Sequence, residues 1–277
     1  MASFTSRLQA SIAAHGSLCV GIDPSAALLQ SCGLPNTAEG ALAFGRRVLE
    51  AAEFRLSIIK PQSAFFERFG SEGFKAMEEL SALARGRGVL VLLDGKRGDI
   101  DSTALAYAES YFGDATALRV DAITTHAYLG VGALDPLFDF VVKHGGGAFV
   151  VVRSSNPEGR ELQTARIDTG ETVAQSLCRE ITARNSRYGA EPCGPLGAVV
   201  GATCDDASDT IAALPTSFIL APGVGAQGAT MQDIARRMPN ARGRILPNVS
   251  RAILANGPSL DAIRTTIRAL QREAADL

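Results

Sequence analysis

Short apolar runs recur along this chain, and segments with helical spacing separate them. The runs cover residues 18–22, 56–60, 89–93, 120–124, 148–152, 196–201, 217–221 and 244–247. Runs this short and this apolar suit strands buried on both faces. Between them, Thr37 is placed to cap a helix reaching residue 54, and Ser71 to cap one over 72–87. Helical spacing also marks 103–112, 132–144, 170–188 and 259–273, with shorter helices at 205–213 and 230–238. Strict alternation predicts a parallel sheet. Eight such units in 277 residues predict a closed (β/α)8 TIM barrel, one domain spanning 1–277. The competing doubly wound sheet carries a glycine-rich turn after its first strand, and Gly21-Ile22-Asp23-Pro24-Ser25 does not match one. The longest irregular stretch runs from residue 153 to 169, long enough to suggest a functional loop.

In such barrels the C-terminal strand ends carry the active site. Here they hold Asp23, Lys60-Pro61-Gln62, Asp94 with Lys96 and Asp99, Thr124-Thr125-His126, Arg153-Ser154-Ser155-Asn156, Pro222-Gly223-Val224-Gly225, and Asn248-Val249-Ser250-Arg251. Residues two apart on a strand face the same way, so Asp94 and Lys96 are expected to project together. An alternating Lys60, Asp94, Lys96, Asp99 array can keep all four groups charged in a closed site. Both a structural ion pair and a proton-transfer site fit these residues. Gly223, Gly225 and Gly228 with Ser250-Arg251 suggest a phosphate site, strengthened if a helix begins after residue 250.

Net charge is −2, so no global field draws nucleic acid or an anionic membrane, and an anionic ligand needs local groups. The five cysteines are scattered without a CxxC, which suggests reduced thiols in a cytoplasmic protein. No apolar leader or membrane-length run is present, and lysines occupy places where a metal would need carboxylates.

The string Asp94-Gly95-Lys96-Arg97-Gly98-Asp99-Ile100 resembles the DxKxxDI motif of orotidine 5′-phosphate decarboxylases. Cys19-Val20-Gly21-Ile22-Asp23-Pro24, Ile59-Lys60-Pro61-Gln62-Ser63-Ala64-Phe65-Phe66-Glu67 and Ser154-Ser155-Asn156-Pro157 are similar to the longer bacterial, mycobacterial-type subgroup. Ala221-Pro222-Gly223-Val224-Gly225-Ala226-Gln227-Gly228 resembles the family's phosphate loop, and the likeness spans about residues 4–270.

The resemblance implies a homodimeric barrel that converts orotidine 5′-phosphate to UMP and CO2 without metal or organic cofactor. Nucleic acid and membrane are not expected partners. By similarity Lys96 would protonate C6 and Asp94 would face the substrate carboxylate. Lys60 would position Asp94, Asp23 would bind ribose hydroxyl, and Ser155 (or Ser154) would read the pyrimidine edge. Pro222, Gln227, Ser250 and Arg251 would hold the substrate's phosphate side. Asp99, Ile100 and Thr103 would reach the partner subunit's site. Gly95 stands where many relatives have alanine, and Ser250 where many have glycine. Metal-dependent sugar-phosphate relatives need a carboxylate at the second strand end, where this chain has Lys60. Intact Lys60, Asp94 and Lys96 weigh against a silent nucleotide-binding protein, and the flanking lysines against a simple barrel isomerase.

Overall fold

The eight apolar runs become parallel strands: β1 (Cys19–Ile22), β2 (Ile58–Pro61), β3 (Leu90–Arg97), β4 (Ala122–His126), β5 (Gly147–Arg153), β6 (Leu196–Val200), β7 (Ile219–Pro222) and β8 (Ile245–Val249). They pair in chain order, and β8 closes on β1. This computed structural model describes residues 2–189, 192–225 and 228–277. The helices are α1 (Phe4–His15), α2 (Ala26–Ser31), α3 (Ala38–Ala51), α4 (Ala64–Glu67), α5 (Gly70–Gly86), α6 (Asp101–Phe112), α7 (Asp135–Lys143), α8 (Gly159–Thr164), α9 (Val173–Arg187), α10 (Ala207–Ala212), α11 (Met231–Arg237) and α12 (Leu260–Glu273). Among the described residues no helix is long and apolar enough to cross a membrane.

Alternation along each strand sorts the core into two layers. Val20, Ile59, Val91, Leu93, Ile123 and Val150 face outward and pack under the helices. Ile58, Leu90, Leu92, Phe149, Phe218 and Leu246 face inward and fill the barrel. The (β/α)8 expectation is met, with local corrections. Thr37 caps α3 as expected, but α3 stops at Ala51 because Glu53 and Phe54 adopt left-handed backbone, φ 53° and 56°. Ser71 does not cap α5, which begins at Gly70 after the short α4. Gly70 turns the chain with φ 62°. Thr172 starts α9 through a capping box, which shortens the expected 170–188 segment. The irregular 153–169 stretch contains α8, and α1 and α2 were not expected.

Helix α1 closes the barrel end opposite the strand C-termini. Its Phe4 and Leu8 join the inward cluster, and Phe4 meets Phe149 edge-on at 6.1 Å between ring centroids. Gly147, at the start of β5, leaves the space, since a Cβ there would lie 2.3 Å from the Phe4 ring. Arg7 then anchors the helix by pairing with buried Asp121 and donating to the Gly145 carbonyl at 2.9 Å. Phe4→Ala is expected to lower unfolding free energy by about 3–5 kcal/mol in a denaturant titration, because the pocket cannot collapse around the lost ring. A loss below about 1 kcal/mol would show that α1 does not seal the core.

Candidate active site

Near their C-terminal ends the inward-facing positions change from apolar to polar. On β2 Ile58 gives way to Lys60, on β3 Leu92 to Asp94, on β4 Ala122 to Thr124, and on β8 Leu246 to Asn248. These side chains line a pocket of about 330 Å³ with Asp23, Gln62, Lys96, Ser154, Ser155, Asn156, Pro222, Gly223, Ser250 and Arg251.

Asp94 is its centre. Lys60 Nζ donates to Oδ2 at 2.6 Å and Lys96 Nζ to Oδ1 at 2.5 Å. Gln62 Nε2 donates to Oδ2 at 3.1 Å and Thr124 Oγ1 to Oδ1 at 2.9 Å. Burial alone would raise the Asp94 pKa, but the fields of Lys60 and then Lys96 hold it well below the usual carboxylate range. Burial likewise lowers the Lys60 pKa, yet Asp94 and then Asp23 outweigh it and leave it raised. The cluster is therefore a carboxylate between ammonium groups. Beneath it, burial pushes the Cys19 thiol up to about 12, so it stays neutral. All five cysteines are buried free thiols.

The convergence of Asp94 and Lys96 does not come from regular strand alternation. Leu93 pairs with Ile123 and Arg97 with Thr125, so Asp94, Gly95 and Lys96 face the single residue Thr124. This bulge sets Lys96 at φ 45°. Thr124 Oγ1 stitches it, accepting from the Lys96 N–H at 3.0 Å while donating to Asp94. Gln62, Thr124 and Asn248 stand at strand ends in the sequence, but nothing in their local pattern assigns them a role. The period-two register rising from the apolar layer is the signal that would have marked Thr124 and Asn248.

At the end of β1, the neighbour of β2, Asp23 Oδ1 is buried without a partner among the described residues. Asn248 Nδ2 donates to the Cys19 carbonyl at 3.2 Å. The Ser250 side chain occupies the hollow over Gly21, where an added Cβ would lie 1.9 Å from Ser250 Oγ. At the β5 end the two serines separate. Ser154 Oγ accepts from Gln163 Nε2 at 2.8 Å, whereas the Ser155 hydroxyl, in the pocket lining, has no partner among the described residues. Arg153 lies outside the lining and bonds both Asp206 carboxylate oxygens at 3.0 Å.

Two expectations change: the place of Asp99 in the charge array and a helix directly after residue 250. Asp99 does not join the Lys60–Asp94–Lys96 cluster; it and Thr103 lie outside the lining, and Ile100 is 50% exposed. Asp99 Oδ1 instead accepts from the Ile100 N–H. Residues 251–254 form a short 3-10 turn, and the next α-helix begins at Leu260, so no α-helix N-terminus follows Ser250 directly. Gln227 lies outside the described residues. Among the described residues no group of three or more His, Cys, Asp and Glu side chains is placed to hold a metal ion.

Residues 16–266 match the sequence profile of the orotidine 5′-phosphate decarboxylase / HUMPS family. Orotidine 5′-phosphate decarboxylase of Salinispora arenicola is 47% identical over 264 residues, covering 95% of this chain and 94% of that protein. The Streptomyces coelicolor protein of the same name is 45% identical, over 96% and 94% of the two chains. A crystal structure from Streptomyces avermitilis superposes with TM-score 0.92 at 42% identity, covering 99% of this chain and 95% of that one. Leishmania donovani OMP decarboxylase superposes with TM-score 0.78 at 30% identity, covering 98% and 99%.

The charge cluster has a pH signature. The Asp94 pKa is depressed on folding, so its stabilising contribution is complete above the ordinary aspartate value of about 3.9 and is lost as pH falls towards the lower folded value. Asp94→Asn strands Lys60, 4% exposed, without its partner. That loss is expected to cost about 3–5 kcal/mol in denaturant titrations at about pH 5–6, narrowing below about pH 4. A gap between the two proteins that stays constant down to about pH 3 would contradict the depressed pKa.

Proposed function

The chain belongs to the orotidine 5′-phosphate decarboxylase / HUMPS family, and from that premise we propose that it converts orotidine 5′-phosphate to UMP and CO2 in pyrimidine nucleotide synthesis. The observation that carries this reading is Asp94 held between Lys60 and Lys96, at 2.6 and 2.5 Å, in the barrel mouth. A metal-dependent relative would want a carboxylate where Lys60 stands. The reaction makes the chain a carbon–carbon lyase. In this reading, bound substrate sets its C6 carboxylate against Asp94. As the C6–carboxyl bond breaks, CO2 leaves and the bonding pair stays on C6. The Lys96 ammonium faces that developing charge, stabilises it electrostatically, and gives C6 its proton. The neutral Lys96 amine then regains a proton from water.

Repulsion between Asp94 and a substrate carboxylate raises the bound substrate's free energy, so binding elsewhere must offset it. The pocket offers suitable groups. The unpartnered Asp23 Oδ1 suits a ribose hydroxyl. Ser155, whose hydroxyl is unengaged among the described residues, suits the pyrimidine edge better than Ser154, which is taken by Gln163. Arg251, the Ser250 backbone and the loop after Pro222 form the phosphate side, with Gln227 assigned there by family resemblance. Asp99, Ile100 and Thr103 belong to the partner's site in a homodimer. Exposed Ile100, with Tyr128 and Leu129 on the β4 loop at 77% and 53% exposure, suits that interface.

Purified protein is expected to deplete the ultraviolet absorbance of orotidine 5′-phosphate at the same rate with and without EDTA. No turnover by folded protein would refute the decarboxylase reading, and abolition by EDTA would favour a metal-dependent reaction. Lys96→Ala should bind UMP but lose at least about 10³-fold in kcat, whereas a near-normal rate would exclude Lys96 as the acid. For the shared site, inactive Asp94→Ala and Asp99→Ala chains should regain activity when mixed into heterodimers. Verified heterodimers without activity would rule out donation across the interface.

A further inference from the structure

We propose that Arg97 and Glu67 are positioning residues, which hold the β3 bulge in the one conformation that aims Lys96 at Asp94. The inference rests on the reading of Lys96 as proton donor. Lys96 sits at φ 45°. A non-glycine residue held there costs about 1–3 kcal/mol and persists only where surrounding contacts over-determine it. Thr124 secures the bulge from the β4 side. What secures it beyond Lys96 is the Arg97 guanidinium.

Its three nitrogens reach three elements. Nη1 donates to the Gly95 carbonyl at 3.2 Å, so the side chain folds back across the Lys96 peptide. Nε donates to Tyr111 Oη on α6 at 3.1 Å, and Nη2 pairs with Glu67 on α4. The guanidinium carbon also lies 5.7 Å from the centre of the Tyr107 ring. Glu67 ends the segment that leaves β2, the strand bearing Lys60. The clamp therefore joins the supports of both lysines. Gly98 completes it: a Cβ there would lie 2.5 Å from the His126 carbonyl oxygen, so the chain after Arg97 lies flush against β4.

Arg97 and Glu67 are absent from the pocket lining, so they act through Lys96 and not on substrate. Their side chains are 23% and 28% exposed. A planar fork is required, because one lysine ammonium cannot meet three divergent acceptors while spanning the bulge. An ordinary ion pair between α4 and β3 would contribute to stability alone. A positioning clamp contributes to the chemical step, where a displacement of about 1 Å can cost about 10²-fold.

The test compares wild type with Arg97→Gln, Arg97→Lys and Glu67→Gln in the full chain. It measures kcat and KM for orotidine 5′-phosphate, Kd for UMP, thermal unfolding, and a crystal structure of Arg97→Gln. Both Arg97 variants are expected to lose about 10²-fold in kcat while UMP Kd stays within about threefold. Glu67→Gln, which keeps a neutral acceptor, should fall between them and wild type. In the Arg97→Gln crystal, residue 96 should relax to negative φ and its Nζ should leave Asp94. Should Arg97→Gln fail to fold, Tyr111→Phe, which deletes one hydroxyl, carries the same expectation on a smaller scale. The clamp is overturned if all variants keep wild-type kcat, if kcat falls only together with UMP affinity or folded fraction, or if Lys96 keeps its φ and contact in the crystal. An inactive wild type that binds UMP would overturn the underlying reaction instead, which separates the two failures.

Discussion

The Asp94 carboxylate governs the rest of this structure. A buried carboxylate or a buried ammonium is costly alone, and each is tolerated here because the other is within hydrogen-bond distance. The partners come from three adjacent strands: Lys60 on β2, Lys96 with Asp94 on β3, and Thr124 on β4. Parallel pairing of those strands within the barrel brings their inward registers to one depth. The charges thus depend on the fold, while the apolar layer below them excludes water and keeps their fields strong.

Two kinds of support divide the work. Register alone sets Lys60 and Thr124, and it carries β3 as far as Asp94, where the bulge begins. Lys96 needs more, because its ammonium must approach Asp94 from beyond the regular part of β3. Its position is achieved with a bulge and left-handed backbone at φ 45°, and with bonds on both sides of the departure. The rest of the rim is built differently. Asp23 Oδ1 is buried there without a partner among the described residues, and Ser155 lies in the same lining without the Gln163 bond that engages Ser154.

Much of this was legible in the amino-acid order. Eight strands and their alternation were, since apolar runs and capping residues such as Thr37 are local signals. Lys60, Asp94, Lys96, Asp23, Ser155, Pro222, Ser250 and Arg251 reach one pocket because strand ends in such a barrel share one face. The bulge was not legible. Period two predicts that Asp94 and Lys96 share a side, and they do meet, but through three residues set against one. The choice between Ser154 and Ser155 also needed tertiary information, because Gln163 engages Ser154 from α8, inside a stretch read as irregular. The sealing role of helix α1 is hidden for a similar reason: it depends on Phe149, far away in sequence.

The hollow over Gly21, filled by the Ser250 side chain, ties two positions at opposite ends of the chain. It imposes an order on change. A residue larger than glycine cannot enter position 21 while serine stands at 250, but glycine at 250 would open the space for it. Position 21 is therefore open to a larger residue only where position 250 gives up its side chain. The residue just after the last strand thus limits what the first strand can carry, and the two positions are constrained as a pair.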